Sequence, residues 1–131
     1  MKKVVVNQIK SLEKLCILPV TYETLKEFCV AAFEHGCRML NIESSAVSFS
    51  FQRNPLSANG SMRCLKRDAY NFYVIVNLWH NLHRNFNDDY ERYFYACVTV
   101  LHELFHIRLQ IHGSDNNFDD YLSFLSYIEE T

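Results

Sequence analysis

The stretch "VLHELFHIRLQIHGSD", Val100 to Asp115, carries three of the six histidines of the chain. His102, Glu103 and His106 have the spacing H-E-x-x-H. On a helix, positions four apart differ by roughly 40° around the axis and about 6 Å along it. Both imidazoles then reach one tetrahedral Zn²⁺, while the intervening carboxylate stands beside the metal and takes a proton from its bound water. The pattern predicts two metal ligands, His102 and His106, and a general base, Glu103. The competing reading is a histidine-rich, solvated helix face. The neighbours Val98, Val100, Leu101, Leu104 and Phe105 weigh against it, because polar groups set among apolar ones cost stability unless paired or metal-bound.

A catalytic zinc commonly takes three protein ligands and keeps one open position. His112 lies ten residues after His102, the spacing of H-E-x-x-H-x-x-G-x-x-H, but Leu109 stands where that pattern has its helix-ending glycine. In an unbroken helix His112 would sit roughly 280° from His102 and about 9 Å beyond His106, so it binds only where the helix stops early. Glu129 and Glu130, then Asp115, Asp119 and Asp120, are the other candidates. A second helix running back past the first would return either glutamate to the metal.

These residues need a frame. Asp88 and Glu91 have capping-box spacing, and no Gly or Pro follows until Gly113, which predicts a helix of about 25 residues carrying the motif. Tyr22 to Leu40 has apolar residues at helical spacing behind a possible Thr21 N-cap, with Thr24 at the box position. Between them the period changes. "AVSFSFQ" alternates Val47, Phe49 and Phe51 with serines, and "NFYVIVNLW" is rich in aromatic and β-branched residues. Asn54-Pro55 and Asn59-Gly60 are turn signals. With Ser61 to Lys66 as a third strand, a small antiparallel three-stranded sheet is expected. "FDDYLSFLSYIEE" reads as a final helix. Pro19 blocks a continuous helix through Val4 to Leu18 into the next segment. The expected architecture is an α+β fold in one domain spanning residues 1–131.

Composition narrows the function classes. The 131 residues carry a net charge of -2, so no global basic field draws the chain to nucleic acid or to an anionic membrane. Arg53, Arg63, Lys66 and Arg67 around the expected hairpin could make a weak local phosphate contact, although such charges more often guard a strand edge. No apolar run reaches the ~18 residues that span a bilayer. The five cysteines form no C-x-x-C pair, which argues against a disulfide framework or a cysteine zinc ribbon and suits a cytoplasmic protein. His80 and His83 are read as a surface loop rather than ligands. Tyr121 and Tyr127 can be core residues or donors to a developing oxyanion.

A helix, a three-stranded sheet and a helix with "HELFH" followed by "HGSDNNF" resemble the SprT-like zinc metallopeptidase domain. The resemblance covers roughly Thr21 to Leu125. It implies a zincin fold, Zn²⁺ held by His102, His106 and His112, Glu103 as base, and a protein substrate. It would also imply action on DNA-associated proteins, although the cysteine ribbon usual in that family has no counterpart here. The ImmA/IrrE-like peptidases share H-E-x-x-H behind a small sheet, with a third ligand further downstream; that resemblance implies a transcriptional repressor as target. The expectation is therefore a zinc-dependent endopeptidase. A zincin-fold interaction or regulatory module without catalysis is the alternative.

Overall fold

The computed structural model describes residues 12, 14–66 and 71–112, for 63–66 and 112 by backbone alone. Helix α1 spans Tyr22–Leu40. A short 3-10 turn, Ser44–Ala46, leads into β1, Val47–Gln52. Strands β2, Gly60–Lys66, and β3, Asn71–Asn77, follow. Helix α2, Trp79–His83, joins the sheet to helix α3, Asp89–His112. The fold is α+β, as expected.

Both long helices begin where the sequence places their caps. The Thr21 side chain accepts from the Thr24 N–H at 3.1 Å, and the Thr24 hydroxyl accepts from the Thr21 N–H at 2.8 Å. Two of the donors that a helix start leaves unpaired are thereby satisfied. Asp88 accepts from the Glu91 N–H at 2.9 Å, and Glu91 accepts in return from the Asn87 N–H at 2.8 Å. Gly36 is where α1 and α3 approach: a Cβ there would lie 2.6 Å from Leu104 Cδ1 and 2.9 Å from Leu101 Cδ2. Phe28, Cys29, Ala32, Cys37, Tyr93, Cys97, Val100, Leu101 and Leu104 fill the helix interface, all buried.

The sheet corrects one expectation. Its order is β1-β3-β2, with β1 parallel and β2 antiparallel to β3, so it is mixed rather than wholly antiparallel. The reason lies in residues 53–59. The Leu78 N–H donates to Gln52 O at 2.9 Å and the Asn77 N–H to Asn59 O at 2.7 Å. The end of β1 and the start of β2 are thus both tied to the end of β3. The segment between them is a loop that carries the chain over β3, with its two turn signals at opposite ends.

The buried Asn77 side chain holds that loop. Its amide donates to Asn54 O at 2.7 Å and to Ser57 O at 3.1 Å, and its oxygen accepts from the Asn54 N–H at 2.9 Å. Phe72, Val74 and Val76 of β3 are buried toward the helices, and Phe33 of α1 stacks on Phe49 of β1 with ring centroids 4.4 Å apart. Tyr73, on the other face, is exposed. Among the described residues, no helix is long and apolar enough to cross a membrane. The expected C-terminal helix lies outside the described residues.

Candidate metal centre

Apolar residues of α3 turn inward and leave His102 and His106 on its open side. His106 is exposed and His102 half-buried, while Glu103 between them is only 6% exposed. The two Nε2 atoms lie 3.0 Å apart, and Glu103 Oε1 is 4.0 Å from His102 Nε2. Two nitrogens about 2.05 Å from a tetrahedral zinc would stand about 3.3 Å apart, so a small opening of the pair admits the ion. One donor atom from each of the three residues falls within 4.8 Å of the others. The His102–Glu103–His106 group can therefore hold a metal ion, as the spacing predicts.

Electrostatics suit that use. Burial, then the neighbouring His106, lowers the pKa of His102, which favours the neutral imidazole that binds metal. Burial raises the Glu103 carboxyl above its ordinary value, with His106 acting in the opposite direction. A carboxylate raised in this way is a better proton acceptor than one in water.

Gly60 sets the distance between sheet and helix. A Cβ at this position would lie 2.7 Å from Thr99 Cγ2 and 3.3 Å from Glu103 Cγ, so only glycine lets β2 close over the base. Sequence reasoning read Gly60 as half of a turn signal. Its role here depends on a helix nearly forty residues later in the chain, and no local pattern announces it. Asn77 had a signal that was passed over: a polar residue closing the apolar run "YVIV". Asn59, Gly60, Val98, Thr99, His102 and Glu103 line an open cavity of ≈ 370 Å³ beside the motif.

The condition on which His112 depends is not met by the backbone. Helix α3 continues through Leu109 to His112, and position 112 is carried about 9 Å beyond His106 on another face. Asp115, Asp119, Asp120, Glu129, Glu130, Tyr121 and Tyr127 lie outside the described residues. His80 and His83 belong to the one-turn helix α2, not to a loop. The turn-forming Asn81 is drawn inward there, its amide donating to Arg92 O at 3.1 Å, and this stabilises the turn of helix. His80 Nε2 is 3.0 Å from Ser57 O, the His83 ring lies 4.6 Å from that of Trp79, and neither joins the metal group.

Arg53 sits over the Tyr22 ring at 4.1 Å, Arg63 and Lys66 are placed by backbone alone on edge strand β2, and Arg67 lies outside the described residues. Cys29, Cys37 and Cys97 are buried thiols outside any disulfide. No family model, no curated protein and no solved structure matches this chain.

Proposed function

We propose that the chain is a zinc-dependent endopeptidase of SprT-like type, working in the cytoplasm on a protein substrate. The observation that carries the reading is a buried Glu103 carboxylate 4.0 Å from one of two imidazole nitrogens that are themselves 3.0 Å apart, beside an open cavity. His102 and His106 hold the ion. A bound zinc supplies Lewis acidity that polarises a peptide carbonyl and lowers the pKa of water. Glu103 accepts the proton from the attacking water and returns it to the leaving amine. The low exposure of Glu103 keeps its carboxylate apart from bulk solvent and strengthens its pull on that proton.

The unbroken helix through His112 favours a third ligand further along the chain, with Glu129 or Glu130 ahead of His112. That observation supports the second reading, an ImmA/IrrE-like peptidase acting on a repressor. The reaction is the same and the substrate differs.

The test is metal content together with hydrolysis of a quenched fluorescent peptide library. Wild type should carry one zinc and cleave. Glu103→Gln should keep the zinc and lose turnover by about a hundredfold or more, the range of general acid–base catalysis. Full zinc in His112→Ala with depleted zinc in Glu129→Ala or Glu130→Ala selects the second reading. A Glu103→Gln variant as active as wild type refutes both.

A further inference from the structure

The metal cleft does not end at Glu103. Glu91, Tyr95, Thr99 and Glu103 are spaced by four along α3 and form one ridge. A second cavity of ≈ 400 Å³ lies along the ridge, with Asn59 and Thr99 in its wall. Those two residues also line the cavity at the metal group, so the two spaces adjoin. The walls of the second are mostly hydrogen-bonding groups: Arg84, Asn85, Asn87, Asn81 and His80, with Tyr95 and Phe86 as aromatic sides.

The charges there are unequal in their commitments. Glu91 has one oxygen taken by the Asn87 N–H at 2.8 Å, as part of the cap of α3. Arg92, next to it, pairs with Asp89 at 3.5 Å and donates to Asn81 O at 2.6 Å. Arg84 is exposed, and among the described residues its guanidinium has no ion pair. A cation with unused donors, set among side-chain amides, is built to receive a carboxylate.

We propose that this second cavity is a substrate subsite that binds an acidic side chain, with Arg84 as its counter-charge. The inference rests on the peptidase reading for what the cleft holds. From Glu103 to Tyr95 is about 12 Å along the helix and to Glu91 about 18 Å. An extended peptide advances about 3.3 Å per residue, so the acidic residue falls about four or five positions from the scissile bond.

The test walks one aspartate along an otherwise neutral peptide. Cleavage is followed with the zinc-loaded wild type, and binding with zinc-loaded Glu103→Gln by fluorescence anisotropy. Aspartate four or five residues from the cut should raise kcat/KM and tighten binding about three- to tenfold, the range of a partly exposed charged hydrogen bond. Arg84→Lys should keep much of that preference, and Arg84→Glu should transfer it to a lysine at the same position, with zinc content unchanged. Turnover with a flat aspartate scan, or a preference indifferent to Arg84→Glu, overturns the subsite alone. Arg84-dependent binding without turnover upholds the subsite and overturns the peptidase reading. Peptides neither bound nor cleaved overturn both.

Discussion

Replacing Gly60 by alanine tests whether the close approach of β2 to α3 builds the site. The added methyl would lie 2.7 Å from Thr99 Cγ2 and 3.3 Å from Glu103 Cγ, where ordinary carbon contacts are about 3.5–4.0 Å. Thr99 can withdraw its methyl only by rotating, which sacrifices the 2.9 Å hydrogen bond from its hydroxyl to Tyr95 O. That bond is worth about 1 kcal/mol. The alternative, displacing β2 or α3, falls in the overpacking range of about 1–3 kcal/mol. Gly60→Ala should therefore lower stability by about 1–3 kcal/mol. In a chain of this length, each kcal/mol is read as about 3–5 °C in Tm. Thr99→Ser removes the colliding methyl and keeps the hydroxyl. In the Gly60→Ala background it should recover at least half the loss, and on its own it should cost under about 1 kcal/mol. Urea denaturation of the four proteins closes a double-mutant cycle. A coupling energy near zero, or a Gly60→Ala protein as stable as wild type, refutes the claim that the absent side chain sets this distance.

Zinc in hundredfold excess over its Kd should stabilise the wild type by about 2.7 kcal/mol; His106→Ala should lose most of that shift in a thermal melt, and an equal shift in the variant would remove His106 from the ligand set. Asn77→Ala strands the Asn54 N–H and Asn54 O, while Ser57 O keeps His80 Nε2 at 3.0 Å, so chemical denaturation should show a loss of about 2–4 kcal/mol and loop 53–59 should become the first site of limited proteolysis. Burial pushes the Cys97 thiol from 9.0 up to about 12, and the Cys29 thiol upward as well. Both thiols are neutral in folded and unfolded chains below pH 9, but above it only the unfolded chain ionises. Each should therefore remove about 1.4 kcal/mol of stability per pH unit above 9 in denaturant titrations, and Cys29→Ala/Cys97→Ala should flatten that slope. Native Cys29 and Cys97 should also resist a thiol reagent at neutral pH until the protein unfolds.

Features with a short-range cause were legible in the chain. The H-E-x-x-H pair, the Thr21–Thr24 box, the Asp88–Glu91 cap and the alternation of Val47, Phe49 and Phe51 each arise within a few residues, and each stands where the pattern puts it. Periodicity was enough because helical and extended backbones repeat every few residues. The one local reading that failed, His80 and His83 as a loop, did so because Asn81 finds a tertiary partner in Arg92 that its turn propensity does not reveal.

Long-range pairing was decided only when the chain closed on itself. Strand order and direction follow from hydrogen bonds joining Asn77 and Leu78 to Asn59 and Gln52, which no spacing rule contains. The burial that raises Glu103 comes from packing on its own helix and from β2, held close by a side chain that Gly60 does not have. Even the downstream histidine turned on this distinction. Leu109 showed that His112 needed a break in the helix, and the continuous α3 carries that position along the axis from His102 and His106. The identities of the donors lie in the chain, but the distances that make them a site come from elements far apart in sequence brought into contact by the core.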